Sequence, residues 1–452
     1  MSTAPPSAPP SAPEKMTPEG RRSAMGAFLG YFVDFYDIYL PTIALAPAMA
    51  YFQPPHLDTV VATTVYYLTF VVTLLGRPIG AAIFGHLADT IGRKTATMVA
   101  VSGFGVVTLL MALLPGYDSW GWFAIAALIL LRLVDGIFLG GEYTAAVPLA
   151  MERAPRSRRA VVSTRIMLGY PMAFIAISAI TTLMLYIAPT ASGAYLEWGW
   201  RVPFLIGALL SVVVLLYYRK VEEDGPAEKP AAEKGPSPLK QLFAKGPHRR
   251  SLVQVFVLMT GMWLSLQTAV SMMPGLLTSV LKLPSTQVTI ATMLMFLVLG
   301  GVYLGVGRLA ERVGRRPVLI AFGALTATVA AAVYWLMVAT ADAGDGLLWT
   351  LLLAGVVVVI ANAPWSILSA YIPERFGPEV RATGFGVGYT FAVLIPSCYS
   401  FFLLWLSSLM PYEYTQIPLV VVGGVLAVIG AVMGPETKNA DLGATGKETV
   451  GE

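Results

Sequence analysis

The chain has 452 residues and a net charge of +4, and is 56% hydrophobic but only 12% charged, about half the charged share of an average soluble protein. That is too little polar surface to coat several globular domains, so the chain belongs in lipid. A single cysteine, Cys398, excludes an intrachain disulfide, and three scattered histidines, His56, His86 and His248, exclude a His cluster or an HExxH-type metal helix.

In chain order, residues 1–22 are rich in Pro, Ser and Ala and have no apolar core. They are predicted to be a disordered tail rather than a cleaved signal peptide. Twelve apolar stretches follow, each long enough to cross a bilayer as a helix of about 20 residues. They lie near 23–50, 60–84, 95–114, 120–150, 160–188, 199–218, 251–280, 287–306, 317–340, 347–371, 382–409 and 416–434. The glycines within 120–150 are a potential break. Residues 220–250, dense in charge, Pro and Gly, read as a linker between two six-helix halves, 23–219 and 251–435, and residues 436–452 as a second tail. An all-α membrane protein results, with twelve transmembrane helices in two pseudo-symmetric bundles and both termini on one side.

Cytoplasmic loops collect Lys and Arg. With cytoplasmic termini, all of the 30 Lys and Arg except Arg77, Arg132, Arg165, Arg201 and Lys282 lie in or beside cytoplasmic segments. The opposite loops carry acids such as Asp58, Asp118, Glu197 and Glu413. The expected location is the plasma (inner) membrane, multi-pass, with the lipid bilayer as partner, no nucleic acid, no cofactor and a monomeric state.

The sequence repeats a phrase. GHLADTIGRK, beginning at Gly85, returns as GRLAERVGRR, beginning at Gly307, with Asp89 matched by Glu311 and Arg93 by Arg315. At the same offset Glu152, Arg153, Arg159 and Ala160 recur as Glu374, Arg375, Arg381 and Ala382, which indicates two related halves. Both copies fall in a turn between the second and third helices of a half. Gly85 and Gly92 are expected to permit the reversal, and Asp89 to face a helix N-terminus, where an acid is favoured. A cytoplasmic gate is thereby predicted from Gly85, Asp89, Gly92, Arg93, Glu142, Glu311 and Arg315; the alternative is a turn that only fixes topology.

An ionisable side chain inside a span costs about 2.5–3.5 kcal/mol on insertion scales, so it is paired, hydrated or useful. Asp34 and Asp37 share a stripe of helix one, and Arg132 and Asp135 a stripe of helix four. Three carboxylates around one guanidinium cannot all be comfortably ionised. These four residues are the proton-coupling candidates, with Asp37 first among the acids and an inert ion pair as the alternative. Arg165, early in helix five, either snorkels to the interface or offers a carboxylate a planar charged fork. The other substrate-site candidates are Tyr36, Tyr143, Trp263, Gln267, Asn362, Trp365 and Tyr389, polar groups among aromatics of the kind that line small-molecule sites. Pro274, Pro364 and Pro396 are expected to break their helices.

GHLADTIGRK resembles the hallmark loop of the major facilitator superfamily, and the resemblance covers nearly the whole chain. Within that superfamily, the metabolite:proton symporters look most similar. The acid pair in GYFVDFYDIY, the RPIGAAIFGHLADTIGRK loop, Arg132 followed by LGGEY, WGWRVPF and a terminal PETK carry the likeness. It implies alternating-access symport of a small molecule with protons, here a small organic anion. Proton-coupled sugar or zwitterion symport and proton-driven export stand as alternatives, although helix five lacks the GP..GG element of many exporters. Asp135 and Arg165 depart from the family, which usually has Gln and Trp at these places.

Overall fold

A computed structural model describes residues 16–57, 59–91, 93–223, 238–342, 346–440 and 442; the side chains of 46, 59–64, 66, 67, 85, 86, 88–91, 93, 94, 142–146, 220–223, 279, 285 and 342 are outside that description. The first crossing, α1, is the helix Pro18–Leu40, which Thr17 caps by accepting the Gly20 N–H at 3.1 Å. The second, α2, is Thr59–Ile91. Ten further helices among the described residues are long and apolar enough to cross a bilayer. They are α3 (Thr95–Ala112), α4 (Trp122–Gly141), α5 (Arg156–Ile187), α6 (Tyr195–Arg219), α7 (Pro247–Thr278), α8 (Thr286–Val313), α9 (Arg315–Ala341), α10 (Leu347–Tyr371), α11 (Arg381–Leu406) and α12 (Tyr412–Met433).

Ten of the expected twelve crossings thus meet the length and hydropathy of a membrane span among the described residues, α2 carries a shorter apolar stretch at Leu68–Phe84, and α1 stands at the place of the first; two adjustments follow. The helix of α4 runs unbroken from Trp122 to Glu152, so its glycines do not interrupt it. The expected linker 220–250 is described only in part: the helix of α6 continues to Glu223 and a short helix, Pro238–Phe243, precedes α7.

Helix-breaking proline does act in the second half. α7 passes into π-helical turns at Gln267–Ser271 and Leu276–Val280 on either side of Pro274, and α10 tightens to a 3₁₀ turn at Ala363–Ile367 around Pro364. α11 is interrupted on both sides of Leu394–Ser397, which holds Pro396. Irregular backbone of this kind is tolerated at membrane depth where it is buried in protein.

Glycine has a different task between α2 and α4. A methyl group on Gly136 would overlap the Thr73 carbonyl, one on Gly140 the Arg77 carbonyl and one on Gly80 the Ile137 carbonyl. The two backbones thus touch, and Thr73 donates its hydroxyl to the Arg132 carbonyl at 3.0 Å. This contact fixes Arg77 and Arg132 relative to each other. Gly136→Ala must push backbone against backbone, so it is expected to cost about 1–3 kcal/mol, read as a lower unfolding temperature of the purified protein. An unchanged melting curve would show that the crossing is slack.

Candidate functional site

The ionisable side chains inside the first half gather in one buried cluster, but not as the sequence suggested. Arg77 of α2 reaches α1 and donates from Nη2 to both carboxylate oxygens of Asp34, at 2.9 and 2.7 Å. Arg132 of α4 donates from Nη1 to Asp135 at 3.0 Å and to Asp37 at 3.3 Å, and from Nη2 to the Ile38 carbonyl at 3.2 Å. Thr108 of α3 completes the set with a 2.6 Å hydrogen bond to Asp37. All five charged groups are 2% exposed or less. Three carboxylates thus face two guanidinium groups rather than one. The missed partner, Arg77, follows the apolar run of α2, where an arginine needs an acid within reach; pairing charges across helices would have found it.

Arg165 and Tyr36 do not join this cluster or the junction described next. Arg165 is exposed and has no ionic partner among the described residues; it sits near the start of α5 while its neighbours Ser163, Thr164 and Ile166 take the buried face. Tyr36 packs on α6, donating its hydroxyl to the Pro203 carbonyl at 3.0 Å. The side chain of Tyr143 lies outside the described residues.

Where the halves meet, the remaining substrate candidates do converge. Trp263, Trp365 and Tyr389 form an edge-to-face trio with ring centroids 4.8 to 6.1 Å apart. Asn362 accepts from the Tyr303 hydroxyl at 2.7 Å and donates to the Tyr170 hydroxyl of the other half at 3.3 Å. Tyr31 and Tyr39 of α1 complete the junction, with hydroxyls 3.4 Å from Tyr389 and 3.2 Å from Ser271. Phe174 stacks on Phe296 at 3.9 Å. Two donors stand out chemically: Nε2 of Gln267 and Nε1 of Trp365 are buried and have no acceptor among the described residues. An unmet buried N–H costs about 1–3 kcal/mol, which an acceptor brought by a ligand would recover.

At one face of the molecule the halves are latched by the repeated phrase. Glu311 accepts from the Ala160 N–H at 2.6 Å and the Val161 N–H at 3.3 Å, so it caps the exposed donors of the α5 N-terminus across the halves. Arg315 lies 3.3 Å from Glu311 and 3.5 Å from Glu374, and Arg381 bonds Glu152 across the halves at 2.6 Å. The segment after α12 straps this face. Its Glu436 carboxylate accepts from the Arg315 and Arg316 N–H groups, Thr437 donates to Glu374, and the Ala440 carbonyl accepts from Arg159 at 2.7 Å.

The first glycine of each copy does not make the turn. Gly85 lies inside α2 and Gly307 inside α8, and a methyl group on Gly307 would strike Thr164 of the other half. Gly314 alone among the described glycines of the phrase has a positive φ, +105°; Gly92 lies outside the described residues, as do the side chains of Asp89, Arg93 and Glu142.

Comparison with known proteins gives this architecture its place. The family model of the Major Facilitator Superfamily matches residues 27–398. The chain belongs to this superfamily. It is 29% identical over 392 residues to the shikimate transporter of Escherichia coli K12, covering 83% of this chain and 85% of that protein. It is also 29% identical over 378 residues to the alpha-ketoglutarate permease of the same strain, covering 81% and 83%, and 27% identical over 454 residues to its proline/betaine transporter, covering 94% and 85%. The fold matches that of an E. coli xylose transporter with a TM-score of 0.66 at 15% identity, over 94% of this chain and 100% of that one. The protein is a membrane transporter and not an enzyme.

Glu374 lies beyond the end of α10, and burial pushes its carboxyl up to about 7 despite the pull of Arg315. The folded protein then holds this proton more tightly than the unfolded chain does. Stability contributed by the protonated group is full below about 4.5 and is lost as pH rises through about 7. Glu374→Gln is expected to flatten the pH dependence of thermal unfolding across that window. A variant with the wild-type slope would show that Glu374 does not titrate there.

Proposed function

We propose that the transporter carries a small organic anion together with a proton by alternating access, acting as a monomer in the plasma membrane with its latched face cytoplasmic. Its moving units are then the halves 23–219 and 251–435. The observation that carries the reading is the Arg77–Asp34 pair, in which one guanidinium nitrogen, Nη2, meets both carboxylate oxygens of an acid on the helix whose Tyr31 and Tyr39 reach the other half. A substrate carboxylate entering the junction takes Arg77 from Asp34, and the released Asp34 takes a proton so that no unpaired charge stays buried. Gln267 and Trp365 supply the N–H donors for the anion from the opposite half. Asp37, Asp135 and Arg132 carry one carboxylate in excess, which favours proton uptake by the cluster as a whole.

Shikimate and alpha-ketoglutarate, named for two relatives, are both carboxylates, which supports this substrate class. A second reading, a zwitterion, draws on the proline/betaine relative and on the aromatic trio, whose faces attract a cation. Both readings share the carboxylate. Titration calorimetry with a carboxylate panel and with betaines decides between them, and a neutral sugar binding more tightly than either would overturn both.

Two variants test the exchange of partners. Asp34→Asn leaves Arg77 without its acid, so it is expected to bind substrate with no dependence on pH and to exchange preloaded substrate, while accumulation driven by a pH gradient in proteoliposomes is lost. Arg77→Lys keeps the charge but loses the fork, and is expected to weaken substrate binding roughly ten- to hundredfold, the worth of a charge-assisted hydrogen bond. Gradient-driven uptake that survives in Asp34→Asn and fails in Asp135→Asn would move the proton to the Arg132 cluster.

A further inference from the structure

On the latched face, at the start of α7 and away from the Gln267 and Trp365 junction, lies a cavity of about 540 Å³. Its volume falls within the roughly 300–1,000 Å³ of small-molecule sites. Lys245, Arg249 and Arg250 line it, together with Gln254, Val253 and Met433. The three cationic side chains have no hydrogen-bond or ion-pair partner among the described residues, and the acid on the neighbouring segment, Glu379, is engaged by His248 at 3.0 Å. Gln254 is occupied as well, donating to the Gly430 carbonyl and the Tyr371 hydroxyl and accepting from Arg375. The positive charge of the cavity is therefore unspent.

What borders the cavity identifies the occupant. Val253, Val432 and Met433 are each about half exposed, at 47%, 50% and 51%, and Ile429 one turn further along α12 is 45% exposed. Val253 and Met433 line the cavity itself, and Ile429, four residues from Met433, lies on the same face of α12, so exposed apolar surface of both helices continues from the cationic groups. The short helix Pro238–Phe243 presents Leu239 and Phe243 beside it, 46% and 55% exposed. A soluble anion would use the cations and ignore the apolar surface. A phospholipid uses both, its phosphate on the cations and its acyl chains along the valines and methionine.

We propose that this cavity binds the headgroup of an anionic phospholipid of the adjacent leaflet. The inference uses the membrane embedding of α7 and α12 and is independent of the substrate and proton assignments. The test is native mass spectrometry of the delipidated full-length transporter, titrated with phosphatidylglycerol or phosphatidylcholine. Wild type is expected to retain phosphatidylglycerol preferentially. Arg249→Gln/Arg250→Gln is expected to lose about thirtyfold in that affinity, the value of two cations beside an anionic headgroup. Arg156→Gln/Arg158→Gln, with the same change of charge elsewhere on the same face, is expected to bind as wild type does. Thermal unfolding checks that each variant is folded, and Lys245→Gln, expected to lose a smaller factor, serves should the double variant unfold. Equal losses in the two double variants would reduce the effect to general surface charge. Equal retention of phosphatidylcholine would remove charge selection, and displacement of the lipid by inorganic phosphate at the same phosphate concentration would make this a free-anion site; each of these outcomes overturns the proposal.

Discussion

The constraint on which the rest of the structure depends is the burial of five charged side chains within one six-helix half. Removing a single charge from water costs several kcal/mol even after relaxation, and the pairing must return it through good geometry. Arg77 meets both oxygens of Asp34, and Arg132 shares itself between Asp37 and Asp135 while also holding a carbonyl of α1. Such a network tolerates little displacement of α1, α2, α3 and α4 relative to one another. The bare backbone contact at Gly136, Gly140 and Gly80 is the device that holds two of those helices in register. Removing either partner of a pair would strand the other, a loss of about 3–5 kcal/mol, so the half moves as a body or not at all.

The crossings were legible in the sequence because a membrane span is a composition signal about 20 residues long, and the orientation of the charged loops is a count. The doubled phrase was legible as a repeat, and Glu311, the counterpart of Asp89, caps a helix N-terminus across the halves. What was not legible is anything that depends on which helix meets which. Arg77 was visible as a charge, but its partner lies 43 positions away on another crossing. Tyr36 and Asp37 are neighbours in sequence and face different helices, Tyr36 toward α6 and Asp37 toward α3 and α4. Arg165 shows the same limit: its spacing from the helix start was known, while its rotation about the helix axis, which leaves it exposed and outside the buried cluster, was not.

Glycine illustrates the same limit. Gly85 looked like a turn residue because Gly permits reversals, yet it sits inside a helix, as does its counterpart Gly307, which Thr164 of the other half approaches. Gly314 is the residue that takes the positive φ. Both conformational freedom and absence of a side chain explain glycine, and only the packing tells which one a position uses. Proline was easier to interpret, since Pro274, Pro364 and Pro396 act on their own helices.

The two kinds of interaction differ in strength in the sense that alternating access requires. Inside the first half, the ion pairs have both partners 2% exposed or less, and breaking them is costly. Across the halves, the latch is wetter: Glu152 is 36% exposed and Glu311 is 15% exposed. Pairs with one partner in water contribute on the order of 1 kcal/mol or less, and the cap on Ala160 and Val161 is within the range of about 0.5–2 kcal/mol for helix caps. The strap adds single hydrogen bonds from Arg159 and Arg381 to backbone carbonyls at Ala440 and Leu442. Opening this face therefore ruptures several modest contacts, each of which water can replace, and none of them is an ion pair of the buried cluster. A barrier built from replaceable contacts is one that a ligand's binding energy can shift, because two conformations separated by a few kcal/mol exchange populations when a ligand prefers one of them. The chain thus spends rigidity where charge is buried and keeps the boundary between its halves weak enough to move.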